Sequence, residues 1–140
     1  MRENPQNTYV FLTKRPDLLR FSTDLDCAWI GVSVCDRESL GRIGTLRRNV
    51  DARHYHVTFD PLVEDVGTVD LSGIEWVVIG AETGRRNACF HPEPSWTMSI
   101  CNQAHNAGIP VFMNESLNGI VDERELVREL PKGFAQANPE

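Results

Sequence analysis

Short apolar runs separated by polar segments recur along the chain, and each run predicts a β-strand. The run at residues 77–79, Val-Val-Ile, follows Trp76 without a polar break, which is typical of a strand buried on both faces of a parallel sheet. In the second run, Gly31 indicates that another group approaches the strand closely. Five strands are predicted in this way, at residues 9–12, 29–34, 54–59, 75–80 and 110–113.

Apolar positions at helical spacing lie between these runs and predict the connecting helices. Asp36 is suited to the N-cap of one helix, and Gly108 is suited to the C′ position that follows another. Pro16 fits the first turn of a short helix because an N–H is not needed there. Four helices are predicted: a short one after Pro16, one over residues 37–48, one from residue 94 or 95 to Gly108, and one over residues 123–130.

The alternation of strands and helices predicts the fold class. Such an order gives an α/β protein whose parallel strands are joined by right-handed crossovers. About five strands are too few for an eight-stranded barrel, so we expect an open or partial TIM-barrel-like sheet, or one that another chain completes. We expect a single α/β domain over residues 1–140. Residues 4–7 lead directly into the first strand, so this domain is expected to be a fragment of a larger barrel.

Polar residues and glycines follow the carboxyl ends of the predicted strands. In a parallel sheet these ends share one rim, where the ligands of α/β proteins bind. Gly80 would let a planar ligand approach the backbone, and Glu82 can accept hydrogen bonds from hydroxyl or amino groups. The alternative is a plain strand-to-helix loop with two permissive glycines. The candidate ligand-binding residues are Glu82, Thr83, Gly80, Gly84, Ser33, Asp60 and Glu115, and no catalytic residue is assigned.

The chain is acidic, and this narrows the classes of partner. Its net charge of −6 over 140 residues argues against a broad basic surface for nucleic acid. No apolar run approaches the roughly 20 residues of a membrane-spanning helix. The first residues, Met-Arg-Glu-Asn-Pro, lack the apolar core of a signal peptide, so a cytoplasmic location is expected.

The spacing of the four cysteines predicts free thiols rather than a metal centre. Cys27, Cys35, Cys89 and Cys101 form no Cys-x-x-Cys pair. Cys89 and His91 can supply two metal ligands, but a closed zinc site needs four. We therefore predict no bound metal, and buried, reduced thiols.

Six segments, in order, are distributed over nearly the whole chain and are specific when taken as a set. They are Phe-Leu-Thr-Lys-Arg-Pro at residues 11–16, Trp-Ile-Gly-Val-Ser-Val at 29–34, Arg-Ile-x-x-Leu at 42–46, Phe-Asp-Pro-Leu at 59–62, Glu-Trp-Val-Val-Ile-Gly-Ala-Glu-Thr-Gly at 75–84, and Gly-Ile-Pro-Val-Phe-Met-Asn-Glu-Ser-Leu at 108–117. Together they resemble the phage protein Gp37/Gp68 family, a radical-SAM-like group.

This resemblance implies an α/β barrel whose amino-terminal part holds a 4Fe–4S cluster on closely spaced cysteines, with S-adenosylmethionine (SAM) at the strand ends. The present chain lacks such a set of cysteines, so it resembles only the carboxyl-terminal part of a family member, and no iron–sulfur cluster is expected in it. It has Cys35, Asp60 and Asn114 where the resemblance implies an acid, a glutamate and a lysine.

Several functions are compatible with this resemblance. The first is a truncated radical-SAM-like barrel domain without catalysis of its own. The second is a SAM- or nucleoside-binding module with its site at the Glu82 rim. The third is one subunit of a split radical-SAM enzyme, paired with a cluster-bearing amino-terminal half. An unrelated α/β hydrolase or transferase is the least favoured, because the chain lacks Gly-x-Ser-x-Gly, a P-loop and Gly-x-Gly-x-x-Gly.

The first predicted strand, at residues 9–12, is apolar and contains neither proline nor charge. An exposed strand edge of this kind invites pairing with another chain. We therefore expect self-association through this edge, unless the amino-terminal residues or the tail fold over it.

Overall fold

The computed structural model describes residues 1–82 and 91–134. Its largest element is a parallel sheet of five strands, which confirms the expected α/β class. In spatial order the strands are β1 (Tyr9–Thr13), β3 (Ala28–Ser33), β5 (His54–Phe59), β6 (Ile74–Ile79) and β7 (Val111–Met113). Apart from this sheet, β2 (Phe21–Ser22) pairs with β4 (Val50–Asp51). The α-helices are α1 (Gly41–Asn49) and α2 (Pro94–Asn106).

One face of the sheet packs against α1 and α2 and makes the hydrophobic core. Val32, Phe59 and Ile79 from three strands pack in this core with Leu46 of α1 and Ile100 of α2, and each is at most 1% exposed. Burying side chains of this size contributes about 1.5–3 kcal/mol each relative to leaving them in water, so this face anchors the sheet.

The winding of the sheet is one-sided. The strands follow one another across the sheet in chain order, and both α-helices pack on the same face. In a doubly wound fold the strand order reverses and helices cover both faces, whereas sequential order with helices on one side is the winding of an α/β barrel. The sheet is open, so the partial barrel-like sheet expected from the sequence agrees with the structure.

Aromatic rings cover part of the face opposite the helices, which we call the inner face. Trp29 stacks on His54 with 4.4 Å between ring centroids. Phe134 meets Trp29 and Trp76 edge-on, at centroid distances of 4.8 Å and 5.0 Å. The indole N–H of Trp76 donates to the carbonyl oxygen of Glu129 at 3.0 Å. The chain that follows β7 therefore packs across the inner face near the amino ends of the strands.

The close approach predicted at Gly31 is confirmed, and the approaching group is the imidazole of His56. These two residues are register partners on β3 and β5. A Cβ at Gly31 would lie 2.2 to 2.4 Å from three ring atoms of His56, so a larger residue has no room. The ring extends across β3, and its Nε2 donates to the carbonyl oxygen of Phe11 on β1 at 2.9 Å.

The predicted helix over residues 123–130 is wrong. Only Glu123–Glu125 form a 3₁₀ turn, and residues 127–129 then run antiparallel to β7. The N–H of Met113 donates to the carbonyl oxygen of Val127 at 2.8 Å. The free edge of β7 offers this short segment long-range main-chain hydrogen bonds, and these outweigh its local preference for a helix.

The other predicted helices are present, with shifted bounds. The helix expected over residues 37–48 begins as a 3₁₀ turn, Glu38–Leu40, and continues as α1. The helix expected after Pro16 is a single 3₁₀ turn, Pro16–Leu18, whose Leu18 stays 69% exposed. Within residues 1–82 and 91–134, no helix is long and apolar enough to cross a membrane.

The predicted end of α2 is confirmed. Gly108 has a φ of +74°, in the left-handed region that favours glycine. The N–H of Gly108 donates to the carbonyl of His105, and that of Ile109 donates to the carbonyl of Ala104 at 2.8 Å. These two bonds form a Schellman motif, which closes the helix and directs the chain into β7.

Candidate functional site

The polar contacts at the carboxyl rim of the sheet centre on Asp60, the first residue after β5. Its Oδ2 accepts a hydrogen bond of 2.8 Å from Nδ2 of Asn114, the first residue after β7. These side chains meet above Gly80, the first residue after β6. A Cβ at Gly80 would lie 2.4 Å from Asn114 Nδ2 and 2.6 Å from Asp60 Cγ. Gly80 therefore leaves the space in which a carboxylate and an amide from its two neighbouring strands join.

The amide of Asn114 is oriented by its own segment of chain. Its Oδ1 accepts hydrogen bonds from the main-chain N–H of Ser116, at 3.0 Å, and from the hydroxyl of Ser116. The same hydroxyl oxygen accepts a hydrogen bond from the N–H of Ala81 at 2.8 Å. Because its oxygen is engaged in this way, Asn114 presents its NH₂ group to Asp60. Protein contacts alone therefore hold the carboxylate of Asp60 in place.

A shallow depression of about 360 Å³ opens on this group of residues. Asp60 Oδ1 has no hydrogen-bond partner among the described residues, and the carboxylate of Glu115 lies on the exposed wall. Carboxylate oxygens accept hydrogen bonds from amino and hydroxyl groups, so the depression suits a ligand that carries such donors. It is lined by Asp60, Ala81, Asn114, Glu115 and Ser116.

A cation and a thiol border the same rim on the side of β3. Ser33 is 1% exposed, and its Oγ lies 3.4 Å from the carbonyl oxygen of Asp60. Arg42 of α1 donates from Nη1 to the carbonyl oxygen of Ser33 at 2.7 Å. The sulfur of Cys35 lies 3.8 Å from the carbonyl oxygen of Asp60. The rim therefore carries positive charge next to β3 and carboxylates from β5 to β7.

Comparison with known proteins identifies the family of this chain. Residues 1–128 match the family described as a protein of unknown function, DUF5131. The chain belongs to the DUF5131 family. The DUF5131 match includes every strand, both α-helices and the whole of the rim described above. No curated protein and no solved structure matches the chain.

In this DUF5131 chain, several of the predicted ligand-binding residues lie together. Glu82 is exposed and follows the segment that lines the depression. Thr83 and Gly84 lie outside the described residues. The space above Gly80, where a planar ligand was expected to approach, holds protein side chains. The predicted residues that the structure gathers around the depression are Asp60, Glu115, Gly80 and Ser33.

Asn114 and Ser116 are not among the ligand-binding residues predicted from the sequence, although Asn114 contacts Asp60 and Ser116 orients Asn114. A signal for them exists in the sequence Asn-Glu-Ser directly after a strand. An asparagine whose side chain accepts a hydrogen bond from the N–H two residues on forms an Asx turn, and such turns are common where a strand ends. The partner of the Asn114 NH₂ group, by contrast, comes from a distant strand and has no local signal.

The cysteines of the DUF5131 chain do not fit a cluster site in the part that the structure describes. Cys27 precedes β3 and Cys35 follows it, so a six-residue strand of about 20 Å separates them. Cys101 is buried in α2. No group of three or more histidine, cysteine, aspartate or glutamate side chains in residues 1–82 and 91–134 is arranged to hold a metal ion. An iron–sulfur cluster needs several thiolates around one point, whereas Cys27, Cys35 and Cys101 lie on separate elements, and Cys89 lies outside the described residues.

Proposed function

We propose that the chain is a small-molecule-binding part of a barrel-like α/β domain, and that its ligand carries amino and hydroxyl groups. The observation that supports this proposal is the Asp60–Asn114 pair above Gly80. Among the described residues, the amide of Asn114 contacts one oxygen of the Asp60 carboxylate, and the other oxygen is available to a ligand. A carboxylate that is fixed before binding loses little conformational freedom on binding, and this favours affinity.

SAM, or a nucleoside related to it, is the ligand class that we propose. The resemblance to the phage Gp37/Gp68, radical-SAM-like proteins suggests SAM, and the donor set at the rim suits it. The amino group and the ribose hydroxyls of SAM are hydrogen-bond donors, for which Asp60 and Glu115 are acceptors. The positive charge of the sulfonium is also favoured by nearby carboxylates.

We propose that this chain alone binds its ligand without catalysis, as part of a radical-SAM-like domain. Radical-SAM chemistry needs electrons from an iron–sulfur cluster. The positions of the described cysteines support this proposal, because Cys27 and Cys35 lie beyond opposite ends of β3 and Cys101 lies in α2. The contribution of this chain is therefore to bind and orient the ligand through the rim.

Isothermal titration calorimetry of the purified chain tests this proposal. SAM, adenosine and methionine are titrated separately, and we expect saturable binding of SAM. Asp60→Asn keeps the size of the side chain but removes the charge, so we expect affinity to fall by about 10- to 100-fold, as for the loss of a charge-assisted hydrogen bond. Asp51→Asn is the matched control, because Asp51 is exposed on β4, outside the rim.

Two results would contradict the proposal. One is the absence of binding heat with all three compounds. The other is an unchanged affinity for SAM in Asp60→Asn. Glu82→Gln, measured alongside, decides which carboxylate dominates. Because the carboxylate of Glu82 is exposed, we expect its loss to weaken binding by no more than about fivefold.

A further inference from the structure

β1 forms an edge of the five-stranded sheet and stays exposed. Val10, Phe11 and Leu12 are 48%, 44% and 53% exposed. The amino-terminal residues do not cover this edge, although Met1 and Arg2 line a groove beside it. The tail up to Phe134 packs on the rings of the inner face instead. Within the described part of the chain, β1 is thus an apolar edge without a cover.

The groove beside β1 enlarges this apolar surface. It has a volume of about 590 Å³, and its lining includes Phe11, Leu19, Phe21 and Ile30. The large apolar side chains here are each 41% to 53% exposed. A standard interface buries about 800 Å² on each partner, so the main chain of β1 and the lining of the groove must contribute to it as well. These side chains are Met1, Val10, Phe11, Leu12 and Phe21.

The main chain of β1 offers the hydrogen bonds of an edge. The N–H of Tyr9 donates to the carbonyl of Cys27, and the carbonyl of Phe11 accepts from His56. The main-chain groups of Tyr9 and Phe11 therefore point into the sheet. Since successive residues of a strand alternate in this respect, the N–H and C=O groups of Val10 and Leu12 point outwards.

We propose that a second copy of this chain pairs with β1 in antiparallel orientation, around a two-fold axis at Phe11. Val10 then faces Leu12 of the second copy, and each such pair exchanges both of its main-chain hydrogen bonds. Phe11 faces its own copy in the narrow, non-hydrogen-bonded position, where side chains come closest. A two-fold axis requires a self-complementary surface, and this register provides one.

Charge is compatible with this arrangement. The sequence of β1, Tyr-Val-Phe-Leu-Thr, contains no charged residue, so no like charges meet within the joined strands. Beyond the strand, the same register sets Lys14 opposite Thr8 of the second copy and Arg15 opposite Asn7. Pairing also withdraws Phe11 and the neighbouring groove from water, which is the main driving force of association.

Light scattering and sedimentation on the full chain test this proposal. We expect a dimer at micromolar concentration. Phe11→Lys and Phe11→Glu are each expected to be monomers, because two like charges would face each other at the axis. An equimolar mixture of the two variants is expected to form a one-to-one heterodimer, since position 11 meets only position 11 of the other copy. Leu18→Lys, which adds the same charge outside β1, is the control and keeps the dimer.

Val10→Pro covers the case in which the Phe11 variants fail to fold. It removes an N–H that points away from the sheet, which an edge strand tolerates, and it is expected to abolish the dimer while circular dichroism stays unchanged.

A wild-type monomer overturns the proposal. If hydrogen exchange of the Val10 and Leu12 amides is slow in that monomer, the chain covers its own edge. If their exchange is fast, the edge is open to a different polypeptide. A dimer that survives Val10→Pro or Phe11→Lys, or variants that fold but do not combine, also overturns it.

Discussion

The two edges of the sheet are made of similar apolar strands but are completed differently. β7 receives main-chain hydrogen bonds from residues 127–129 on its outer side. β1 is held from within the sheet, by His56 reaching the carbonyl oxygen of Phe11, and its outer side is uncovered in the part of the chain that the structure describes. The contacts that hold an edge strand in the sheet are therefore distinct from the contacts that cover its outer side.

The groups that hold the two edges respond to pH in different ranges. Burial lowers the pKa of His56 to about 4, so this imidazole is neutral at neutral pH. At β7, the carboxylate of Glu129 accepts a hydrogen bond from the N–H of Val111 at 3.0 Å and contacts Nε2 of His105 at 2.6 Å. The Val111 bond, opposed by burial and supported by His105, lowers the pKa of Glu129. As the pH falls, protonation therefore weakens the contact that holds β1 first, and the contact at β7 is weakened at lower pH.

The largest effect is expected when the space for His56 is filled. In Gly31→Ala the new Cβ would lie 2.2 Å from the imidazole, so the ring has to move and its bond to Phe11 is lost. We expect the free energy of unfolding, measured with urea, to fall by about 3 kcal/mol or more. Gly41→Ala in α1 is the control, because a Cβ there meets no atom within 4 Å. If both variants are equally stable, the contact between Gly31 and His56 does not hold β1.

The second effect is the pH dependence of stability that arises from His56. Its pKa is about 6.5 in the unfolded chain and about 4 in the folded one, so protons bind the unfolded state more readily. Stability is complete above about pH 6.5 and falls as the pH decreases towards 4, by about 3 kcal/mol in total. His56→Gln, whose amide can still donate to Phe11, is expected to lack this slope. Urea unfolding of both proteins between pH 4 and 6.5 measures this dependence. If the free energy of unfolding falls equally with pH in both, the pH dependence does not arise from His56.

The sequence predicts the strands better than it predicts what joins their edges. The five strands and α2 show local periodicity and clear boundary residues, so their positions follow from the chain itself. The helix expected over residues 123–130 fails because the same apolar spacing also suits a segment that pairs with a distant strand. At the rim, parallel topology correctly gathers Asp60, Glu115 and Ser33. It does not reveal that Asn114 holds Asp60, since that contact joins residues 54 positions apart.

The third effect concerns the β7 edge. Glu129→Gln weakens the acceptor for the N–H of Val111, and we expect it to lower the free energy of unfolding at neutral pH by about 1 kcal/mol. This value allows for solvent screening, because the side chain of Glu129 is 46% exposed. Since the folded pKa is depressed, the contribution is present above about pH 4.5 and is lost as the pH falls through the folded pKa. Glu123→Gln, on the exposed 3₁₀ turn, is the control.

Hydrogen exchange shows whether this third effect is local. We expect faster exchange of the Val111 and Met113 amides in Glu129→Gln, because both lie at the β7 edge. The amides of β1 are expected to be unaffected, since His56 holds that strand from the other side of the sheet. Equal acceleration at both edges would mean that the sheet opens as one unit, and the contrast between its edges would then have no consequence for stability.

The smallest effect is expected from His105→Gln. Its contact with Glu129 is an exposed pair, with side chains 39% and 46% exposed, and such pairs contribute about 0–1 kcal/mol. The bond from the N–H of Val111 to Glu129 remains in this variant, so the β7 amides should keep their protection. Urea unfolding and hydrogen exchange on His105→Gln and Glu129→Gln, side by side, separate the two contacts of the carboxylate. If the histidine variant loses as much stability as the glutamate variant, the ion pair holds β7. If the histidine variant loses little stability, the hydrogen bond from the N–H of Val111 to Glu129 holds β7. Both edges then depend on a side chain that contacts a backbone group, His56 at a carbonyl of β1 and Glu129 at an N–H of β7.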